Sequence, residues 1–517
     1  MIRPEKGSPS TKPNWRPALW ILSFAALAGL VIWNVSSADR QFRYLKVIGL
    51  GLVTLLILLV WAVFWGGFSA RQKRRGFGAL GLGLALFFGC FRISGVTGNM
   101  MPIFEWRWGA ALEASEWVVG ASVELPPGVV FDYPQFLGPE RLATVDGIEL
   151  SGDWSVAPEE HWRIEMNAGW SAFAIRAGRA VTMEQIGDEE AVTCYSLATG
   201  ERIWLSSDQG RHDSPLGGLG PRSTPALTEE KVVALGALGR LSCLDIETGD
   251  EIWQVDLLSE AGASVPEWGF AGSPLVVEDS VIVFPGGRNG SSIVAYDLET
   301  GARKWGSGSE GASFSSPVLA TFNEVDLILC FNKNGISGYR VADGKRLWGE
   351  EWGNPFPNVA VPIALSNNQF LISAGYGDGA SLFEVQGKDS DSEWSIEEVW
   401  WSRHMKAKFT NVVAHEGYVY GLDDGILACI DLESGRRMWK DGRYGHGQII
   451  RVANRLLVMA EDGRVALIEL TPDEMLEVGS FRAFDEKTWN PPALAGQFLL
   501  VRTASEAACY KLPVTPL

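Results

Sequence analysis

Seven side chains able to make anion or stacking contacts stand just before, or at the start of, short apolar runs: Arg211, His212, Arg222, Trp268, Lys406, Lys408 and His446. Arg211, His212 and Arg222 fall in one long connection, Ser206–Arg222, and Trp268 in another, Leu257–Phe270. Long loops carried on a rigid scaffold are where binding groups concentrate. These residues are the candidate binding set, with solvated loop charge as the plainer reading. Hydrolytic chemistry finds no support. His212, Asp213 and Ser214 are contiguous, and adjacent residues cannot face one another as a nucleophile, base and orienting acid must. Nor do the six cysteines and five histidines show the spacing of a metal site. No catalytic residue and no metal ligand is assigned.

The elements that hold these groups are repeated. Cys243-Leu-Asp-Ile-Glu-Thr-Gly-Asp-Glu-Ile-Trp253 recurs over Ala295–Trp305 and Cys429–Trp439, with looser copies ending at Trp204 and Trp348. Aromatic anchors fall at Trp162, Trp204, Trp253, Trp305, Trp348, Trp400, Trp439 and Phe481, spaced 39 to 52 residues apart. That is the period of a four-stranded propeller blade. Alternating apolar residues such as Leu241 and Cys243 mark the strands. Each Thr-Gly step closes a hairpin, with Gly supplying a positive φ. The preceding Asp245, Asp297 and Asp431 are placed to bond turn amides. The tryptophan, four residues after the glycine, is expected to wedge between neighbouring blades.

Ser/Thr-Pro pairs (Thr224-Pro225, Ser273-Pro274, Ser316-Pro317) open the inner strands, where proline is tolerated. Seven complete units run from about Ser171 to Phe481. Trp489–Leu512 supplies three further strands, and Glu160–Met166 the missing outer strand of an eighth blade. Joining the two ends of the head removes exposed sheet edges. Cys194, Cys243, Cys429 and Cys509 share one strand position in different blades. They read as small core residues, too far apart to bridge.

This repeat resembles the PQQ-like (pyrroloquinoline-quinone-type) β-propeller family over about residues 160–512. Tyr133-Pro-Gln-Phe-Leu-Gly-Pro-Glu-Arg141 is also similar to the Trp-Pro-Gln-Phe/Trp-Arg-Gly-Pro opening of many bacterial members, with Tyr133 in place of Trp and Leu137 in place of Arg. The resemblance implies an all-β, eight-bladed β-propeller of the quinoprotein alcohol dehydrogenase-like kind. Its dehydrogenases hold their quinone between a tryptophan and a disulfide of adjacent cysteines, beside a calcium ion. Here no two cysteines are adjacent. No cofactor is expected, and PQQ with calcium enters only under the alternative of a PQQ-dependent alcohol dehydrogenase-like oxidoreductase.

Upstream of the repeats, Pro17–Val35 and Val47–Phe68 carry no charge. Each can cross a hydrocarbon core of about 30 Å at about 1.5 Å per residue. Gly76–Phe91 is shorter and crosses if Arg92 snorkels or the bilayer thins. A crossing is favoured there over a re-entrant or interfacial helix. The expected organisation is a stem over 1–98 with three transmembrane helices near 17–35, 47–68 and 76–93. A linker and lead-in segment follows over 99–158, then the propeller over 159–517.

Basic residues set the orientation. Arg3, Lys6, Lys12, Arg16, Arg71, Lys73, Arg74 and Arg75 lie on one side of the first two segments, against Arg40, Arg43 and Lys46 on the other. The positive-inside rule then puts the N-terminus in the cytoplasm. Three crossings place the head on the extracytoplasmic (periplasmic) side of a bacterial-type cell membrane, and two would leave it inside. Residues 1–98 hold 12 of the 44 Lys/Arg but only 2 of the 62 Asp/Glu, so the head is strongly acidic. That excludes general nucleic-acid binding, which needs cations against phosphates. The expected function is an integral membrane, extracytoplasmic scaffold for a protein or peptide partner.

Overall fold

The computed structural model describes residues 14–35, 39–108, 132–154, 156–214, 216–353, 355–387 and 393–515. The chain forms two compact units, Met1–Glu113 and Ala114–Leu517.

Among its described residues the first unit holds three helices, α1 (Arg16–Val35), α2 (Arg40–Phe64) and α3 (Ala70–Cys90), then a hairpin of β1 (Phe91–Val96) and β2 (Pro102–Trp106). Aromatic pairs join the two ends of α1 to α2: Trp33 with Tyr44 at 5.2 Å, and Trp15 with Trp61 at 5.8 Å. Helix α2 starts at Arg40, earlier than expected, because Asp39 caps it and accepts from the Arg40 amide. Among the described residues, two helices rather than three are long and apolar enough to cross a membrane, Arg16–Asn34 and Arg40–Phe64. The third departs from the expected 76–93 at both ends. A capping box of Ser69 and Gln72 starts α3 at Ala70, so Arg71, Lys73, Arg74 and Arg75 are helical. At the other end the chain turns into β1 after Cys90.

Among the described residues of the second unit, eight sheets of four antiparallel strands, one of them extended by a fifth strand, each run outward from an inner strand. The repeat explains how they lock together. Asp245 accepts from the amides of Glu247 and Thr248, and Gly249 takes φ +76°. The indole of Trp204, from the preceding blade, lies flat against that turn and donates to Ile246 O at 2.9 Å. A Cβ on Gly249 would stand 2.6 Å from the ring, so no other residue fits. The same bond recurs from Trp162 to Leu197, Trp253 to Leu298, Trp305 to Val341, Trp400 to Leu432 and Trp439 to Thr471. Trp348 differs. It stacks on Phe370 at 5.3 Å, and among the described residues its buried N–H has no partner. Cys194, Cys243, Cys429 and Cys509 are fully buried, each directly opposite its tryptophan in the ladder.

A second seam runs along the inner strands and explains the Ser/Thr-Pro pairs. The Ala172 amide donates to Thr224 Oγ1, the Thr224 amide to Ser273 Oγ, and the Ser273 amide to Ser316 Oγ, at 2.8–3.1 Å. Each hydroxyl thus satisfies an amide of the blade before it, as buried amides require.

The ring closes as expected. The outer strand of the eighth blade is Glu159–Glu165, paired with Glu506–Lys511 so that Trp162 faces Cys509. Arg502 reaches across the join and donates to Thr182 Oγ1, Met183 O and Asn167 O of the first blade.

The lead-in segment is built into the propeller. Tyr133 pairs with Ile175, and Thr144–Val145 adds a parallel fifth strand to the seventh sheet. Between them Arg141, fully buried, donates to the carbonyls of Ser273, Pro274 and Pro317. Beside this segment lies a cavity of about 480 Å³ lined in part by Leu142, Val145, Ile363 and Leu494.

Candidate functional site

One end of the channel is where the inner strands begin, and each blade brings one large side chain to its start. In blade order these are Trp170, Arg222, Trp268, Phe314, Phe356, Phe409, His446 and Trp489. The sixth blade is irregular: its inner strand pairs at Ala407 and then only from Val412, so Lys408–Asn411 bulge from the ladder. Bulges re-aim side chains beside functional sites, and here the bulge makes Phe409 the hub. Its ring lies 5.4 Å from Trp489, 5.6 Å from His446, 6.3 Å from Trp268 and 6.4 Å from Tyr376. Trp170 continues the series from Trp489 at 5.2 Å, and Phe314 from Trp268 at 4.9 Å. Rings from the third, sixth and eighth blades therefore meet across the channel.

Two ammonium groups sit on these rings. Lys408 Nζ is 4.7 Å from the Tyr376 centroid and Lys487 Nζ is 3.7 Å from that of Trp489, both within cation–π range. Burial pulls the Lys487 amine down to about 8, with Glu461 opposing. Glu461 braces the ring by accepting from the His446 amide and the Trp489 indole.

A short hairpin, Asp213–Ser214 with Gly218–Leu219, lies over the rings. A Cβ on Gly217 would stand 3.3 Å from Trp268, and one on Gly218 (φ +79°) 3.3 Å from Trp170. Glycine is what allows this approach. Arg222 folds back beneath, donating to Gly218 O and Gly220 O. Burial lowers it to about 10, against the pull of Glu190 and Asp213. Among the described residues, six buried polar atoms near the strand starts have no partner: the indole nitrogens of Trp170 and Trp268, His212 Nε2, Ser223 Oγ, Asn358 Oδ1 and Asn490 Oδ1.

The structure thus brings together Arg222, Trp268, Lys408 and His446. His212 is half-buried at the base of the hairpin, and burial followed by Arg222 depresses its pKa. Arg211 lies further out, half-exposed, donating to Gly187 O near Asp188 and Asp213. Lys406 turns aside into the sixth blade, where it shares the buried Asp423 carboxylate with Lys440. Sequence reasoning missed Trp170, Phe314, Phe409, Trp489 and Lys487. A signal existed in Trp170-Ser171, Phe314-Ser315, Phe409-Thr410 and Trp489-Asn490, each an aromatic followed by a small polar residue at a strand start.

An eight-bladed ring closed by both ends of the head, with indole-to-turn bonds between blades, defines the class: the head is an eight-bladed β-propeller that resembles the PQQ-like family. The family model described as outer membrane protein assembly factor BamB matches residues 188–441. The chain is 23% identical over 381 residues to the outer membrane protein assembly factor BamB of Shewanella oneidensis, covering 61% of this chain and 90% of that one. It is 35% identical over 165 residues to the lanthanide-dependent methanol dehydrogenase of Methylacidiphilum fumariolicum, covering 30% of this chain and only 24% of that one. Among solved structures, the quinohemoprotein alcohol dehydrogenase of Comamonas testosteroni is 14% identical and covers 73% of this chain and 80% of its own, at a TM-score of 0.51. Its counterpart ADHIIG of Pseudomonas putida is 12% identical and covers 75% and 81%, at 0.54. These two likenesses speak to the fold alone.

The residues at the mouth do not fit a quinone held beside calcium in the dehydrogenase manner. All six cysteines are free thiols, and the five in the head are buried along its strands. No group of three His, Cys, Asp or Glu suited to a metal occurs among the described residues. Phe409 and Trp268 meet edge to face across the channel, their ring centroids 6.3 Å apart.

Proposed function

We propose that this protein is a membrane-anchored, non-catalytic propeller that serves as a scaffold for a protein or peptide partner outside the cytoplasm. The observation that carries the reading is the mouth itself. Rings from opposite blades meet across it and a glycine hairpin lies on top, which leaves an outer surface for recognition. The match to an assembly factor along 90% of that relative's length supports a scaffold. Two apolar helices and the basic stem support an anchor.

Titrating the full chain with PQQ and calcium tests the non-catalytic part. No saturable binding is expected at micromolar quinone, the level of about −8 kcal/mol. Stoichiometric binding lost in Arg222→Ala would overturn the reading. The scaffold part is tested by a photo-crosslinker at the exposed Leu216 of the hairpin in living cells. A discrete envelope-protein adduct is expected, and its absence counts against the hairpin face. The second reading, a quinone-dependent oxidoreductase, draws on the paired Trp170 and Trp489 with Lys408 and Lys487, and needs the hairpin to move away.

A further inference from the structure

The β1–β2 ribbon that follows α3 has two unlike faces. Cross-strand pairs put Phe91 opposite Trp106 and Ile93 opposite Phe104 on one face, and Arg92 opposite Glu105 on the other. The apolar face is well exposed: Ile93 57%, Phe104 45% and Trp106 52%, followed by Trp108 at 72%. The polar face is closed by an Arg92–Glu105 ion pair at 3.4 Å. A lone two-stranded ribbon is marginal in water, and one exposing four large apolar side chains is more so.

The ribbon is also tied to the end of α3. The Arg107 amide donates to Cys90 O, and the Trp108 indole to Gly89 O. Phe87 packs against Phe91 and Phe104 at 5.3 and 5.2 Å. These bonds satisfy carbonyls that a helix end otherwise leaves open, which matters most where no water reaches. Helix α3 itself buries no side chain. From Gly76 to Cys90 it spans about 22 Å at about 1.5 Å per residue, short of a core of about 30 Å.

We propose that β1–β2 with Trp108 is an interfacial anchor, seated in the headgroup boundary of a bilayer with its Phe91, Ile93, Phe104 and Trp106 face toward hydrocarbon and Arg92 and Glu105 toward water. It makes up the length that α3 lacks. Tryptophan belongs at that depth because its ring is apolar and its N–H polar, and Arg107 beside it suits anionic headgroups. The proposal rests on the reading of the stem as membrane-embedded.

The test places a nitroxide on the full chain in vesicles of phosphatidylethanolamine and phosphatidylglycerol. Labels go at Ile93→Cys, Phe104→Cys or Glu105→Cys, with Leu56→Cys in α2 and Glu229→Cys on the head as references. All are made in Cys90→Ala, since the other five thiols are buried. Collisions are measured with oxygen, which enters hydrocarbon, and with a nickel chelate, which stays in water. Labels at 93 and 104 should favour oxygen and the label at 105 the chelate. If 93, 104 and 105 all behave like 229 while 56 favours oxygen, the anchor is wrong and the membrane reading stands. If 56 also favours the chelate, the membrane reading fails and the anchor with it. Spin–spin broadening between copies at 93 and 104, without oxygen preference, would assign the face to a second copy and overturn the proposal. Labelling both strands guards against one substitution unmaking the ribbon.

Discussion

Replacing Trp162 by alanine probes the join that closes the propeller. The ring is only 8% exposed, lies on the turn at Gly200 and donates to Leu197 O at 2.8 Å. Removing a buried tryptophan costs about 3–5 kcal/mol, a large share of the about 5–15 kcal/mol that holds a domain together. Trp204→Ala removes the same ring with the same bond one blade further on. The two should differ in reach, because a hairpin turn at Leu197–Glu201 ties the Trp204 strand to its neighbour. The Trp162 strand is joined to Glu506–Lys511 by no such turn but by ladder bonds, by Arg163, which contacts Glu506 and Tyr510, and by the Tyr510 hydroxyl, which donates to Glu160. Urea unfolding of the full chain should show both losses, while Trp401→Ala, at a half-exposed indole bonded to Asp378 O, should cost about 1 kcal/mol or less. Amide exchange should then rise across 159–165, 506–511 and the Arg502 contacts in Trp162→Ala, and stay local in Trp204→Ala. A Trp162→Ala cost no greater than that of Trp401→Ala, or unchanged exchange over 506–511, would refute the seam.

Gly218→Val places a β-branched residue at φ +79° against Trp170, a strain of about 1–3 kcal/mol. Faster exchange over 213–220 is expected, with the blades unchanged. The depressed Lys487 amine gives a pH signature. Between about 8 and its ordinary 10.5 the unfolded chain binds more protons than the folded one, so stability rises with pH across that window. The full rise is at most about 3 kcal/mol, and pH-dependent unfolding of Lys487→Met should lack it. A topology reporter fused after Leu517 should be active only on the extracytoplasmic side, and cytoplasmic activity would mean that α3 does not cross.

Blade number and closure are legible in the sequence because one strong physical requirement repeats. A flat indole packs on a turn that in most units carries a Gly, and in the strict copies that Gly stands four residues before the unit's own Trp, as Gly249 and Trp253 do, while Trp162 and Trp400 keep the seam bond without it. The fifth blade, where Trp348 meets Phe370 instead, shows the converse: with no Thr-Gly turn the pattern fades although the sheet persists. Helix boundaries in the stem are less legible. Hydropathy marks where apolar residues run, whereas Asp39 and the Ser69–Gln72 box decide where the helices start. Arg141 is harder still. Its partners are carbonyls of Ser273, Pro274 and Pro317, and a backbone acceptor leaves no mark on composition.

The candidate set divides along the same physical line. Trp268, Lys408 and His446 converge because they precede or begin inner strands, a position that chain order reveals. Lys406 stands two residues from Lys408, yet it turns to Asp423. The bulge at 408–411 separates them, and it depends on pairing with the next strand rather than on local residue type. That bulge also carries Phe409 to the centre of the mouth, where it joins Trp268 to Trp489. Binding at this end of the channel therefore turns on two local features, one irregular strand and one glycine hairpin, set into a scaffold that is otherwise regular. A propeller can keep every seam between its blades and still lose or gain a central ligand through such changes, because neither the indole bonds nor the hydroxyl chain passes through the mouth. The constraint on fold and the constraint on function lie on different residues here, which is why the blade pattern reads clearly while the chemistry of the mouth does not follow from it.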